Sequence, residues 1–206
     1  MAKAVYIHIP FCTHICHYCD FNKVFLKGQP VDRYIDALIL EIEKYIEQFV
    51  EPIETIFLGG GTPTALTTKQ LDHLLTAVQK LLPIHKEVEF TIEANPGDLP
   101  IEKLSALKEL GVNRLSLGLQ TFNNQLLERI GRSHRVKDVY ETVEAAKRIG
   151  FDNISIDLMY GLPGQKIKDV EDSLKETFSL DIQHCSAYSL IVEPKTVFYN
   201  LLCSKR

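Results

Sequence analysis

Short apolar runs alternate along the chain with longer segments in which apolar residues recur every three or four positions. The short runs have the length and β-branched composition of buried strands, and the longer segments have the period of amphipathic helices. The predicted strands cover residues 4–9, 53–58, 88–93, 112–119, 152–158 and 184–191. Because strands and helices alternate at spacings that suit right-handed βαβ crossovers, the pattern predicts a parallel sheet with helices outside it.

The helical segments have recognisable ends. The predicted helices cover residues 31–50, 68–82, 101–110, about 123–149 with a break near Gly131, and 167–178. Thr67 and Gln70 have the spacing of a capping box at the start of the second helix. Gly111 and Gly150 follow the third and fourth helical segments as C-terminal stops. The final segment, NLLCSKR, shows no closing element after the sixth strand, so we expect a truncated chain.

Two architectures accommodate six strand–helix units, namely an open doubly wound sheet and a barrel-like (β/α) repeat. The pattern alone does not choose between them. The length of 206 residues suits one compact α/β domain, and no internal sequence repeat of fixed period is present.

The charge balance narrows the classes of partner. The chain has 23 basic and 27 acidic residues, a formal net charge of −4, which does not favour binding along a nucleic acid backbone. No apolar stretch approaches the roughly 18 residues of a membrane span. The N-terminal segment MAKAVYIHIPFC has neither a signal core nor an amphipathic leader, so a cytoplasmic location is the default expectation.

Three of the five cysteines are clustered as C-x3-C-x2-C, at Cys12, Cys16 and Cys19. An odd number of cysteines in a cytoplasmic protein argues against a disulfide framework, so the cluster of cysteines predicts metal binding. Three thiolates directly after the first strand can hold three corners of a [4Fe–4S] cube and leave one iron open. The alternative is a zinc site completed by His14 or His17, although zinc modules more often use two separated pairs.

Glycine and polar residues follow the later strands. Gly59–Gly61 end the second strand and allow the backbone to approach a ligand closely. A dinucleotide fingerprint does not fit, because it would need glycine at Thr64. Polar side chains stand at three further strand ends: Glu93, Gln120 and Asp157. Together, the glycine run and these polar side chains predict a site at the carboxyl edge of the sheet. The alternatives are a plain tight turn for the glycines and helix-cap or loop positions for the polar side chains.

Five segments in order resemble the radical S-adenosylmethionine (SAM) superfamily, and more narrowly its oxygen-independent coproporphyrinogen III oxidase-like group. They are YIHIPFCTHICHYCDFNK, FLGGGTPT, TIEANPGD, NRLSLGLQTFNNQLLERIGRSH and IDLMYGLPGQ. The resemblance implies a partial (β/α)6 TIM-like barrel, with residues 1–206 as the radical SAM core and a C-terminal family region absent.

The same resemblance implies cofactors and their contacts. It places a [4Fe–4S] cluster on the three clustered cysteines and SAM on the open iron, where one-electron reduction releases a 5′-deoxyadenosyl radical. The positions that match SAM contacts are Tyr6, Tyr18, Gly60, Gly61, Thr62, Glu93, Gln120, Arg132 and Asp157. For Arg132 the match is to a SAM- or substrate-contacting arginine, and an exposed charge at a helix end is the alternative. No catalytic residue is assigned.

In two features the chain departs from the oxidases of this group and resembles its heme chaperone branch. The oxidases carry a fourth cysteine where this chain has Phe21, and they have an extension before the first strand. The resemblance therefore implies a chaperone that binds heme and passes it to acceptor proteins, with coproporphyrinogen oxidation as the alternative.

The branch also raises expectations about heme and location. Its heme-linked histidine motif lies in the absent C-terminal region, so the present chain offers as axial donors only His8, His134 and His184, or the thiols of Cys185 and Cys203. Family members are described as cluster-dependent dimers. A mitochondrial location is the alternative for a eukaryotic source. The electron donor is not identified.

Overall fold

A single parallel sheet organises the chain, which a computed structural model describes over residues 2–204. The strands are β1 (Ala4–Ile9), β2 (Phe11–Cys12), β3 (Val24–Phe25), β4 (Ile53–Gly60), β5 (Ile84–Ala94), β6 (Arg114–Gln120), β7 (Asn153–Tyr160) and β8 (His184–Ser189). Six of them pair in the order β1-β4-β5-β6-β7-β8, and β2 pairs with β3 separately. The order follows the chain without reversal, which excludes a doubly wound sheet. Within residues 2–204 the two edge strands do not pair with each other, as in a partial barrel.

The helices lie between the strands as the pattern predicts. They are α1 (Val31–Tyr45), α2 (Thr68–Leu81), α3 (Ile101–Glu109), α4 (Asn124–Arg129), α5 (Val136–Ile149), α6 (Ile167–Ser179) and α7 (Val197–Cys203). The predicted capping box of Thr67 and Gln70 and the break near Gly131 are confirmed. Gly150 ends α5 in the left-handed conformation, with φ of +92°. Over residues 2–204, every helix is too short or too polar to cross a bilayer.

Two boundaries differ from the prediction. Helix α1 ends at Tyr45 and continues as a 3₁₀ turn over Ile46–Gln48 rather than as α-helix to residue 50. Strand β5 starts four positions before the predicted residue 88, at Ile84, which pairs with Ile53 ahead of an irregularity in the register. Propensity does not reveal an early start of this kind, because the neighbouring strand stabilises it.

The expectation that no element follows the sixth strand is wrong, because the structure contains α7. The Thr196 side chain caps this helix by accepting a hydrogen bond from the Tyr199 N–H at 3.1 Å. Phe198 packs on a small apolar cluster formed by Leu126, Ile130 and Leu162. At seven residues, α7 is too short for its apolar residues to show a helical period.

The two faces of the sheet differ in polarity. Residues such as Ile56, Leu58 and Ile92 point outward and form the core against the helices. The alternate positions on β5 to β7 carry polar side chains, among them Glu93 and Asp157, on the inner face. Because side chains alternate across a strand, the sheet presents its polar groups to the inside of the partial barrel.

Candidate cofactor-binding site

The cysteine loop joins β1 to α1 at the carboxyl edge of the sheet. Cys12 ends β2 and is buried, and the Cys19 N–H donates a hydrogen bond to the Cys16 carbonyl at 3.2 Å. Pairing of Phe11–Cys12 with Val24–Phe25 closes the loop. All three thiols are free of disulfide bonds, so they are available as ligands.

One pocket brings the cysteine loop together with the ends of four strands. The predicted site residues that line it are Cys12, Cys16, Cys19, Tyr18, Gly60, Gly61, Thr62, Glu93, Gln120, Arg132 and Asp157. They come from the loop, from the carboxyl ends of β4 to β7, and from the segment between α4 and α5. Parallel β/α barrels build their sites at this edge.

Hydrogen-bond donors face two of the cysteine sulfurs. Thr62 Oγ1 donates to Cys12 Sγ at 3.6 Å, and Arg132 Nη1 donates to Cys16 Sγ at 3.3 Å. Burial raises the pKa of the Cys12 thiol, while the Thr62 hydrogen bond and the Arg132 charge oppose that rise. Thiolates that accept such hydrogen bonds are suited to iron–sulfur ligation.

The alternatives for the cysteine loop are an iron–sulfur cluster and a single zinc ion. Across the described residues 2–204, no three His, Cys, Asp or Glu side chains lie close enough to ligate one metal ion together. A cube binds each thiolate to a separate iron, so its thiolates lie farther apart. His17 turns away from the pocket, since its Nδ1 pairs with the Arg129 carbonyl at 3.0 Å and its ring packs on Phe198. His14, the other histidine of the zinc alternative, lines the pocket with the cysteines, so zinc ligation through His14 stays the alternative to the cluster.

The glycine turn after β4 holds the cysteine loop against the sheet. A Cβ atom added to Gly61 would lie 2.7 Å from the Pro10 carbonyl carbon and oxygen. The next residue, Thr62, donates its N–H to the Phe11 carbonyl at 2.8 Å. Close approach of the glycines to a ligand stays a prediction, and at Gly61 the structure shows close approach to the cysteine loop.

Two carboxyl groups face the pocket from β5 and β7. Burial raises the pKa of Glu93 and of Asp157, and the charge of Asp157 raises that of Glu93 further. The Gly60 N–H donates to Glu93 Oε2 at 2.9 Å, and Ser116 Oγ donates to Asp157 Oδ2 at 3.3 Å. These hydrogen bonds favour the charged forms, as an ammonium group of a ligand would.

Gln120 occupies a strained backbone position at the end of β6. Its φ is +77°, and the register between β6 and β7 shifts between Gly118 and Gln120. A non-glycine residue in this conformation is uncommon, and such strain concentrates at functional sites. The irregularity accompanies a buried Gln120 side chain that lines the pocket.

Asn95 and Lys23 also line the pocket and were missed at the level of sequence. Asn95 Nδ2 donates to Thr62 Oγ1 at 3.3 Å, and its Oδ1 accepts from Arg132 at 2.6 Å. Lys23 Nζ donates to the Cys19 carbonyl at 2.5 Å. Asn95 follows the strand-end carboxylate by two positions, so strand periodicity could have identified it. The sequence carried no comparable signal for Lys23.

Tyr6 does not line the pocket. Its ring stacks on Phe57 with 6.0 Å between centroids, and its hydroxyl pairs with His8 Nδ1 at 3.1 Å. The side chain lies on the inner face of β1, where the charge of Glu93 contributes to raising its pKa after burial. Its contact with SAM stays a prediction.

The three histidines considered for heme have different environments. Both ring nitrogens of His8 are hydrogen-bonded. His134 is buried, and burial together with the Arg132 charge lowers its pKa to about 3. His184 is exposed, and its Nδ1 pairs with Ser155 Oγ at 2.8 Å. None of the three lines the cysteine pocket, so the site described above does not identify a heme ligand.

Comparison with known proteins shows the family of this chain. Residues 6–177 match the family model described as the Radical SAM superfamily. The heme chaperone HemW of Bacillus subtilis (strain 168) is 57% identical over 202 residues, which are 97% of this chain and 53% of that protein. HemW of Lactococcus lactis subsp. lactis (strain IL1403) is 50% identical over 198 residues, 96% of this chain and 52% of that protein. The chain therefore spans about half the length of these curated relatives.

A solved structure gives a similar result. The Escherichia coli coproporphyrinogen III oxidase HemN, described as a radical SAM enzyme, superposes with a TM-score of 0.88 at 31% sequence identity. The match covers 96% of this chain and 46% of that one. The singly wound sheet of this chain is thus the fold that HemN also has.

Proposed function

Because the chain belongs to the radical SAM superfamily, we propose that its pocket binds a [4Fe–4S] cluster and SAM as the core of a heme chaperone. The convergence of Cys12, Cys16 and Cys19 with the strand ends in one pocket carries this proposal. A bound cluster would supply one-electron chemistry at an iron that lacks a protein ligand.

The residues of the pocket have distinct roles in this proposal. The three cysteines hold the cluster, and the turn beside Gly60 supplies backbone atoms to the amino group of SAM. Glu93 and Asp157 offer carboxylate acceptors for ammonium and hydroxyl groups of the ligand. Gln120 lines the same pocket with an amide that both donates and accepts. The carboxyl ends of the strands thereby orient SAM within the barrel.

Delivery of heme to acceptor proteins is the second part of the proposal. It is supported by relatives at 57% and 50% identity that are named heme chaperones. It is also supported by position 21, where an exposed phenylalanine lines the pocket in place of a fourth cysteine. The structural similarity to HemN favours coproporphyrinogen oxidation as the second candidate function.

Iron and sulfide analysis after anaerobic reconstitution tests the cluster. We expect about four iron and four sulfide per chain, and an electron paramagnetic resonance (EPR) spectrum of the reduced protein that changes on addition of SAM. The Cys16→Ser variant should lose the cluster, and Cys203→Ser, at an exposed thiol outside the pocket, should keep it. An unchanged iron content in Cys16→Ser would contradict the proposal.

Heme binding and transfer separate the two candidate functions. The protein is titrated with heme and then mixed with an apo-acceptor hemoprotein, and transfer is expected. A second sample is reduced and incubated with SAM and coproporphyrinogen III. Formation of protoporphyrinogen without heme transfer would replace the chaperone proposal with the oxidase.

A further inference from the structure

Arg132 is a cation of the pocket that has no carboxylate partner. Within residues 2–204, no Asp or Glu forms an ion pair with its guanidinium at 4.0 Å or less. Its Nη1 donates to Cys16 Sγ at 3.3 Å. Its Nη2 donates to Asn95 Oδ1 at 2.6 Å and also to the Gly118 carbonyl. The group is partly buried, where an uncompensated charge is costly.

The two fixed acceptors hold the guanidinium in place. Asn95 directly follows β5 and Gly118 lies near the end of β6, so both lie at the carboxyl edge of the sheet. Because a guanidinium is planar, holding Nη2 on these two oxygens directs Nη1 towards the Cys16 sulfur. The anion that this cation meets is therefore the thiolate of a cluster ligand.

We propose that Arg132 is a positioning residue that donates a hydrogen bond to the Cys16 thiolate and thereby raises the reduction potential of the cluster. This inference rests on the proposed function, which places the cluster on Cys16. Reduction adds one negative charge to the cluster, and a nearby cation with a hydrogen bond to a ligand sulfur stabilises the reduced state more than the oxidised state. Arg132 therefore acts on the cluster before SAM binds, which is distinct from a contact with SAM.

The inference is tested by potentiometric titration with reversible redox mediators, monitored by EPR, on reconstituted protein without SAM. At the potential where the wild-type cluster is half reduced, R132M should show a reduced-to-oxidised ratio at least tenfold lower, about 59 mV for one electron. R132K retains the positive charge but loses the forked donors of the guanidinium. Its reduction potential should therefore lie between those of the wild type and R132M.

Arg129 provides the matched control. Its Nη1 donates to the Pro163 carbonyl at 2.6 Å and not to a cysteine, so R129M removes the same charge from a nearby position. The R129M cluster should have the wild-type potential. If the R132M cluster keeps the wild-type reduction potential while SAM binding is weakened, the inference is overturned. Arg132 would then be a SAM contact only.

Three further outcomes are also decisive. If R132M takes up no iron, R132K decides, because a wild-type potential in R132K contradicts the inference and a lower potential supports it. If the wild-type chain itself takes up no iron and sulfide, the proposed function fails and this inference fails with it. If the wild type and R132M both have normal iron content and equal reduction potentials, this inference is wrong and the proposed function still stands.

Discussion

Burial of a single charged residue in the pocket lowers the stability of the protein, and Glu93 is the clearest case. Burial raises its pKa above the 4.5 of an unperturbed glutamate, so the folded state holds its proton more tightly than the unfolded state. Stability therefore falls as pH rises from about the unfolded pKa through the raised folded value. The charged form of Glu93 therefore destabilises the folded protein relative to the protonated form.

We expect Glu93→Gln to raise the free energy of unfolding at pH 7 by on the order of 1 kcal/mol and to weaken SAM binding. Glutamine keeps an oxygen acceptor for the Gly60 N–H but removes the buried charge. Urea unfolding between pH 4 and 8 should show a flatter pH dependence than in the wild type. Glu109→Gln, on an exposed site of α3, is the control, and an equal effect there would contradict the explanation.

At the scale of elements, the glycine turn and the cysteine loop form one unit. We expect Gly61→Ala to destabilise the protein by about 1–3 kcal/mol and to reduce iron uptake, since its Cβ would lie 2.7 Å from Pro10 backbone atoms. Denaturant unfolding and iron analysis measure the two effects.

Gly28→Ala is the control for this substitution. Gly28 has φ of +81° but no atom within 4 Å of an added Cβ. It should therefore cost about 1 kcal/mol for backbone strain alone and leave iron uptake unchanged. Equal loss of iron in both variants would show that the close packing at Gly61 is not responsible.

Helix α7 contacts the cysteine loop at His17. The Phe198 N–H donates to the His17 carbonyl at 3.1 Å, and the His17 N–H donates to the Ile130 carbonyl at 3.0 Å. We expect Phe198→Ala to cost about 3 kcal/mol and to speed hydrogen exchange at the His17 amide and loss of iron under oxygen. Leu201→Ala, at a side chain that is 51% exposed on the same helix, should change neither rate.

The strands and helices differ in how accurately the sequence predicts their bounds. The strands with alternating or continuous apolar runs, and the helices with long stripes, were predicted within a few residues because their periods are strong. The short α7 and the early start of β5 depend on contacts made by distant residues. The same distinction holds in the site, because the cysteines share one loop whereas Arg132 and Cys16 are 116 positions apart.

At the scale of the whole molecule, the site and the core use opposite faces of the sheet. The core residues Ile56, Leu58 and Ile92 pack against the helices, and the pocket lies at the carboxyl edge beside the polar inner face. The core therefore contains few contacts that depend on the cofactors. The sheet and its helices should therefore keep their fold without the cofactors. The cysteine loop should lose its conformation more readily than the sheet.

We therefore expect removal of the cluster to lower the melting temperature by about 5–10 °C, which corresponds to about 2–3 kcal/mol of binding linked to folding. The far-UV circular dichroism at 20 °C should stay unchanged. Limited proteolysis should cut the cluster-free protein first within residues 12–26, because the loop loses the ligand that joins its three thiols. Cys203→Ser, treated in the same way, should behave as the wild type. Loss of the circular dichroism signal together with the cluster would show instead that the sheet itself depends on the bound metal.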